Sequence, residues 1–244
     1  MRTFVGTIVE KHTHMKHLFI AIFALVAHLA SAQFSVGGGL GLNTFMRSSN
    51  TSAPHLRMPS LYATFELPRS GDVTFFGRID YSLPKANFDT LSTYVTAINQ
   101  STTPYALLVN YQARTNYFLF EGGNRYYLIN DYDNGFSLYG GTGFVFGLGT
   151  VKNHFEKYDQ SNTYQWEGSY TLDNSLIGKG TILMFGAFLQ GGLKYTIPAV
   201  GTLFTDISGY YLLVGSGSNS IAASTQYYSP LFFNFSIGFK KDFY

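Results

Sequence analysis

Apolar and polar residues alternate one by one along most of the chain, and the alternation is clearest at the C-terminal end. In the closing segment FFNFSIGFKKDFY, one parity is apolar and contains Phe233, Phe235, Ile237 and Phe239. The other parity is polar or small and contains Asn234, Ser236, Gly238 and Lys240. Because successive side chains of a β-strand point to opposite faces, this period predicts a strand with one apolar and one polar face.

Alternation of this kind, bounded by turn residues, predicts eight strands after residue 32. Their expected ranges are 34–46, 59–68, 72–84, 106–128, 136–151, 182–197, 202–214 and 229–243. Three connections are short and rich in turn-forming residues, namely PRSG, INDYDNG and PAVG. The other four are longer and polar, near 47–58, 85–105, 152–181 and 215–228. An even number of strands with short turns at one end and long loops at the other predicts an all-β, antiparallel, up-and-down outer-membrane barrel, with the short turns in the periplasm.

The N-terminal residues predict export from the cytoplasm. After Met15, Lys16 and His17, the sequence LFIAIFALVAHLASAQ is apolar and reaches the small residues Ala-Ser-Ala at 30–32. A positive start, a short apolar stretch and a small-residue cleavage site are the three parts of a signal peptide. About 12 apolar residues are too few for a comfortable transmembrane helix, which disfavours an uncleaved anchor. We expect Met15 to be the true start, cleavage after Ala32, and a single barrel domain at 33–244.

Charge and cysteine content exclude several classes of function. Residues 1–32 hold three of the 16 basic and one of the 14 acidic residues, so 13 of each remain in the exported part. A neutral chain has no electrostatic footprint for nucleic acid, so no nucleic-acid partner is expected. Cysteine is absent, which excludes disulfides and thiolate metal sites. Only His55 and His154 follow residue 32 as histidines, so we expect no metal site and no cofactor.

The remaining composition favours a membrane as the solvent. Aromatic residues make up 18% of the sequence and charged residues only 12%, against about 25% charged in an ordinary soluble domain. No run of about 20 apolar residues follows residue 32, so no transmembrane helix is expected there. A closed barrel is then the remaining way to cross a bilayer with every backbone polar group paired. We therefore expect localisation in the bacterial outer membrane, in contact with its lipid and lipopolysaccharide.

Strand parity also assigns a polar set of side chains to the barrel interior. An eight-stranded barrel is just wide enough inside for side chains to fill it. The charged members of the predicted set are Glu66, Arg78, Asp80, Arg114, Lys194 and Asp206. The neutral members are Tyr62, Thr64, Asn116, Tyr139, Gln190, Ser208, Asn234 and Ser236. Three carboxylates and three cations can pair, which predicts a structural salt-bridge network; a proton relay or gated path is the alternative.

The fourth predicted strand is ambiguous. In the segment NYFLFEGGNRYYL, Glu121 and Arg125 share the parity of Tyr117 and Leu119. The apolar pattern assigns that parity to lipid, where charged side chains do not belong. A bulge, or a strand end already outside the lipid, would reconcile the two observations.

The longest predicted loop, 152–181, is a candidate recognition surface outside the cell. Its segment YDQSNTYQWEGSY mixes acidic residues with the aromatic residues Tyr158, Tyr164, Trp166 and Tyr170. Such a mixture suits contacts with proteins or sugars. A loop that only shields the top of the barrel is the alternative.

Several segments resemble those of a known group of proteins. The leader, Gln33 directly after the cleavage site, the strand FSLYGGTGFVFGLG and the aromatic C-terminal strand are similar to those of small outer-membrane β-barrel proteins of the Bacteroidota. That group includes PorT-like and OmpA-like eight-stranded barrels, and the resemblance covers 33–244. It implies a protein without shared catalytic residues, inserted by machinery that reads the last strand, with Phe243 in register with the lipid-facing residues.

Three classes of function remain open. The leading expectation is a non-enzymatic barrel that supports the envelope, presents loops or joins a complex with other envelope proteins. A lipid A acyl hydrolase is the second, with His154 as base, Glu156 as orienting acid and a nearby serine, but no G-x-S-x-G motif supports it. A small pore is the third, and a filled eight-stranded lumen disfavours it.

Overall fold

A computed structural model describes most of the predicted barrel. The described residues are 33–46, 56–98, 105–131, 135–161, 163–166, 168–172, 178–218 and 229–243. They form ten strands: β1 (Phe34–Met46), β2 (Leu56–Ser70), β3 (Val73–Ala97), β4 (Tyr105–Asp131), β5 (Phe136–Phe155), β6 (Tyr164–Gln165), β7 (Ser169–Leu172), β8 (Gly178–Ile197), β9 (Gly201–Ser218) and β10 (Leu231–Phe243). The predicted leader and its cleavage site lie outside the described residues. Within these ranges, no helix is long and apolar enough to cross a membrane.

Eight of the strands close into a ring, which confirms the predicted antiparallel eight-stranded barrel. Around the ring the order is β2, β1, β10, β9, β8, β5, β4 and β3, and β3 pairs with β2 to complete it. The first and last strands pair from Phe34 opposite Phe243 to Met46 opposite Leu231. Because the ring closes, the backbone groups of each barrel strand find partners on both sides, as a lipid environment requires.

The outer face of the ring is an apolar belt. On β10, the side chains of one parity are 39–56% exposed: Phe233, Phe235, Ile237, Phe239 and Phe243. The alternate residues Asn234, Ser236 and Lys240 are buried inside the barrel. The alternation in the C-terminal sequence therefore predicted correctly which side chains of β10 face outward and which face the lumen.

Several barrel strands are longer than the sequence pattern predicts, and β3 differs most. The expected loop at 85–105 is instead mostly strand, because β3 continues to Ala97 and β4 begins at Tyr105. A register shift between Ser82 and Lys85 explains the error, since it reverses which parity of β3 faces inward. Beyond the shift, the inward apolar residues of the long hairpin pack in the hydrophobic core: Leu91, Val95, Leu107, Val109 and Tyr111.

The expected loop at 152–181 is also partly ordered as strand. β5 continues to Phe155, and the short strands β6 and β7 form a hairpin within the same segment. β7 pairs with the far end of β3, from Val95 opposite Leu172 to Ala97 opposite Tyr170. The ends of β3, β4 and β5 together with β6 and β7 form a small sheet outside the belt, called the extracellular sheet below.

Glycine permits a close approach of β4 and β5 inside the barrel. Gly143 of β5 lies opposite Gly123 of β4. A Cβ atom at Gly143 would lie 2.7 Å from the Cα of Gly123, and closer still to the carbonyl oxygen of Gly122. Both atoms belong to the backbone, so neither can rotate away, and only glycine fits at this position without moving a strand.

Replacing Gly143 with Ala should lower the free energy of unfolding of the refolded barrel by about 1–3 kcal/mol, the usual result of forcing extra volume into a packed interior. Gly191 on β8 is the matched control, because a Cβ atom added there would have no neighbouring atom within 4 Å. Gly191→Ala should change the free energy by less than about 0.5 kcal/mol. Denaturant unfolding in detergent measures both, and equal losses in the two variants would contradict the close-approach explanation.

Candidate functional site

Charged side chains fill the half of the lumen that lies nearest the short turns. Arg78 contacts Asp80 at 3.3 Å and Asp206 at 3.8 Å between nitrogen and oxygen. Arg125 contacts Asp206 at 3.3 Å and also pairs with Glu66. These contacts join β2, β3, β4 and β9 through one chain of ion pairs across the interior.

Glu66 is the central residue of these ion pairs at the end of the lumen nearest the barrel mouth. Its carboxylate pairs with three cations: Arg125, Lys194 at 2.6 Å and Lys240 at 2.5 Å. Lys194 also donates a hydrogen bond to the hydroxyl of Tyr127. A single buried carboxylate thus contacts cations from three different strands, β4, β8 and β10.

Neutral side chains complete the hydrogen bonding of this network. Asp80 accepts hydrogen bonds from Asn43 at 2.9 Å and Ser60 at 2.8 Å. Arg78 donates to Ser236 at 3.1 Å and to Asn234 at 3.2 Å. Because buried charges are tolerated only when paired and hydrogen-bonded, these contacts explain how the network persists away from water.

The buried charges balance in number. Among the described residues, the buried cations are Arg78, Arg125, Lys194 and Lys240, and the buried carboxylates are Glu66, Asp80, Glu121 and Asp206. Glu121 lies directly opposite Arg78 in the β3–β4 register and accepts a hydrogen bond from Tyr210 at 2.9 Å. These eight residues are called the lumen charge network below.

Five of the six charged residues assigned to the lumen from the sequence lie in the network, and Arg114 does not. The side chain of Arg114 is exposed on the outer face of β4, and Asn116, also assigned to the lumen, lies on the same outward parity. The inward parity of this strand instead carries Tyr117, Leu119, Glu121 and Arg125, without a bulge between them. The expectation for Arg114 and Asn116 was wrong because the interior is itself apolar at the height of Tyr117 and Leu119, so hydrophobicity did not identify the lipid face.

The same error kept Glu121 and Arg125 out of the predicted interior. A signal for them was present, since charged residues at membrane depth almost always face the interior of the protein. Applying that rule to Glu121 and Arg125 fixes the parity of β4 correctly. Lys240 was placed on the polar face of the last strand but not in the network, because nothing in the sequence links it to Glu66.

The other half of the lumen is filled by a cluster of stacked aromatic side chains. Tyr210 and Phe232 stack with ring centroids 4.1 Å apart, and Phe232 stacks on Phe45 at 4.8 Å. Phe45 in turn stacks on Tyr117 at 4.3 Å. Each of these four side chains is at most 2% exposed. This aromatic cluster closes the lumen on the side of the long connections.

A water-accessible mouth of about 770 Å³ opens at the short-turn end of the barrel. Its lining includes Glu66, Tyr127, Lys194, Lys240 and Asp242. The mouth therefore ends on the charged network and does not continue through the aromatic cluster. Among the described residues, no group of three or more His, Asp or Glu side chains is placed to hold a metal ion.

The hydrophobic core of the barrel continues into the extracellular sheet. Its buried residues come from all of its strands and include Val95, Val109, Tyr111, Phe155, Tyr164 and Leu172. Tyr158, Trp166 and Tyr170 are partly buried against this core. The prediction that Tyr164 is an exposed contact residue is therefore wrong: it is 1% exposed, because the aromatic residues of this segment stabilise the sheet itself.

A tight set of hydrogen bonds orders the tip between β5 and β6. The carboxylate of Asp159 accepts hydrogen bonds from the hydroxyl of Ser161 at 2.5 Å and from the side-chain amide of Gln165 at 2.7 Å. The backbone N–H groups of Ser161 and Thr163 also donate to it. These bonds, led by that from the Ser161 hydroxyl, hold the pKa of Asp159 below its ordinary value.

The residues considered for hydrolytic catalysis do not form a catalytic pair. His154 is exposed on the outer face of β5, and Glu156 accepts a hydrogen bond from Asn110 at 3.2 Å. In a triad the acid would instead orient the histidine by a direct hydrogen bond. The described geometry gives no support to the hydrolase alternative.

The closed ring, the apolar belt and the filled lumen define a transmembrane β-barrel of the bacterial outer-membrane class. No protein-family model matches the sequence, and no curated protein matches it as a relative. Solved structures with a similar course of the chain include Neisserial surface protein A, at a TM-score of 0.46 and 11% identity, covering 86% of this chain and 97% of that one.

Two further solved structures show a comparable similarity. The attachment invasion locus protein Ail of Yersinia pestis has a TM-score of 0.42 at 10% identity, covering 86% of this chain and 99% of its own. A major outer membrane protein from Thermus thermophilus has a TM-score of 0.43 at 12% identity, covering 87% of this chain and 100% of its own. The class assigned above follows from the ring and belt of this chain itself.

Replacing Arg125 with Ala should lower the free energy of unfolding by about 3–5 kcal/mol, since Glu66 and Asp206 would each lose a buried partner. Arg114→Ala removes the same charge from an exposed position and should change the free energy of unfolding by less than about 0.5 kcal/mol. Denaturant titration in detergent, followed by the shift in gel mobility between folded and unfolded barrel, compares the two variants. Similar losses in both would show that the network does not stabilise the barrel.

Proposed function

We propose that the protein is a non-enzymatic outer-membrane protein that contacts other envelope proteins through the outer face of its extracellular sheet. The observation that carries the proposal is an exposed apolar patch on the β3–β4 hairpin, beyond the lipid belt. Phe88 and Tyr94 are each 72% exposed, and Leu108 is 60% exposed. Exposed apolar surface outside a bilayer is a common mark of a protein contact.

The register of the hairpin places the three side chains on one face. Leu108 lies opposite Ser92, so it is a diagonal neighbour of Tyr94 on the same face. Phe88 lies on the same face of β3, nearer the membrane. The core of the extracellular sheet supports the hairpin from the other side, so the patch rests on ordered structure.

The filled lumen supports a role that does not involve conduction. The aromatic cluster and the lumen charge network occupy the interior with side chains that are almost entirely buried. An eight-stranded barrel offers little space beyond that volume. We therefore assign the function to the surface of the protein and not to a path through it.

We also propose that the protein belongs with the small outer-membrane barrels of the Bacteroidota and that insertion machinery reads its last strand. The signal-peptide-like leader and the aromatic strand β10 support this assignment. On β10, Phe243 is 46% exposed on the lipid-facing parity and stacks on Phe34 across the closing pair of strands.

A double substitution tests the contact patch. The double variant Phe88→Ser, Leu108→Ser should remain folded, because both side chains are exposed. It should no longer recover the partner proteins that co-purify with the wild type from cross-linked native membranes. Gln112→Ser with Thr90→Ser is the matched control on the same face of the same hairpin, and it should retain those partners. Unchanged partners in the first variant would sink the proposal.

Removing Phe243 and Tyr244 tests the role of the last strand in assembly. The truncated protein should accumulate in the periplasm and be degraded in cells, while refolding in detergent with only modest loss of stability. Separate measurement of surface exposure in cells and of unfolding in detergent distinguishes the two effects. Normal surface assembly of the truncated protein would contradict recognition of this terminus.

A further inference from the structure

Outward-facing residues of β4, β5 and β8 form ordered rows at the extracellular edge of the belt. The last apolar row consists of Phe118, Leu148 and Leu183, which lie opposite one another on the three strands. The next row outward consists of Asn116, Thr150 and Thr181. The third row consists of Arg114, Lys152 and Lys179. Moving away from the membrane, the surface thus changes from apolar to neutral polar to cationic.

The third row places like charges side by side. Arg114 lies directly opposite Lys152, and Lys152 directly opposite Lys179. Neighbouring strands are about 4.8 Å apart, so the row spans about 10 Å. Like charges directly opposite in a sheet are destabilising, so the fold alone gives no reason for this arrangement.

No carboxylate of the described residues neutralises the row. All three side chains are exposed, and the ion pairs found among the described residues lie in the lumen or at its mouth. The acidic side chain that follows directly after the end of β5 is Glu156, which is bonded to Asn110. Within the described part of the chain, the row therefore presents positive charge that is not paired with a carboxylate.

The opposite edge of the belt has a different character. On the same strands, the outward residues near the short turns are Tyr126, Phe136 and Tyr195, all exposed aromatic residues. The short turns mark the periplasmic side, so the cationic row is on the outer side of the membrane only. A lipid ligand for the row would therefore come from the outer leaflet.

We propose that Arg114, Lys152 and Lys179 bind the phosphate groups of a lipid A-type glycolipid in the outer leaflet. The three rows match the parts of such a lipid in order: acyl chains against the apolar row, sugar hydroxyls against the amide and hydroxyl row, and phosphates against the cations. Arg and Lys are the usual binders of phosphate, through charge-assisted hydrogen bonds. Binding relieves the repulsion within the row.

Titration of the detergent-solubilised protein with bisphosphorylated lipid A, followed by native mass spectrometry, tests the proposal. Lys152→Gln with Lys179→Gln should weaken binding about 25-fold, at about fivefold for each lysine near an anionic surface. Arg69→Gln with Lys241→Gln is the matched control, since it removes two cations from the periplasmic end, and it should alter binding less than about twofold. Equal weakening in both double variants would overturn the site.

Three further measurements identify the ligand and the cause. Wild-type protein should bind dephosphorylated lipid A about as weakly as the Lys152→Gln, Lys179→Gln variant binds the phosphorylated form. Inorganic phosphate at millimolar concentration should leave bound lipid A in place; full displacement would show a site for the free ion instead.

In detergent without lipid A, the Lys152→Gln, Lys179→Gln variant should unfold at the same or a higher denaturant concentration than wild type, because repulsion between the cations is removed. A lower midpoint would show a structural role for the lysines and contradict the proposal.

Discussion

A strand in hydrocarbon must have both of its edges paired, and this constraint determines most of the architecture. An unpaired backbone group in a bilayer costs several kcal/mol, so the first and last strands have to meet. They do so over the whole length of β1, from Phe34 to Met46. Closure with eight strands then fixes a narrow interior, which side chains must fill without voids and without clashes. Gly143 avoids a clash with the backbone of β4, and the stacked aromatic residues fill the lumen on the side of the long connections.

The interior is divided into two chemically different halves. The charged half adjoins the open mouth near the short turns, where water reaches Lys194 and Lys240. The aromatic half lies towards the extracellular side and excludes water. A buried ion pair adds little stability compared with a well-packed apolar group, but removing one partner is strongly destabilising. The lumen charge network therefore acts as a cross-link between strands that are distant in sequence, and Glu66 holds three of those strands together.

The sequence was sufficient for the ring and for most of its faces, since a period of two is unambiguous where one face is apolar and the other polar. It was insufficient where that contrast fails. On β4 both faces are apolar at one height, with Phe118 outside and Leu119 inside. The sequence pattern therefore assigned Arg114 to the lumen, whereas Arg125 is the arginine of β4 that lies there. At 85–105 a register shift reversed the parity of β3, and a stretch of sheet was interpreted as a loop. Long-range pairs such as Lys240 with Glu66 have no local signal at all.

The extracellular sheet is continuous with the barrel, because β3, β4 and β5 belong to both. From Lys85 to Tyr94 the β3 strand advances about 30 Å along its axis, at about 3.3 Å per residue. β4 and β5 keep one register from Tyr111 to Tyr127, so they run from the belt into this sheet without an irregularity in their pairing. Phe88, Tyr94 and Leu108 lie on the outward face of the β3–β4 hairpin, which on β4 is the same face as the lipid-facing residues of the belt. Under the proposed function, a patch on that face favours neighbours that diffuse laterally in the same membrane over soluble molecules that arrive from above.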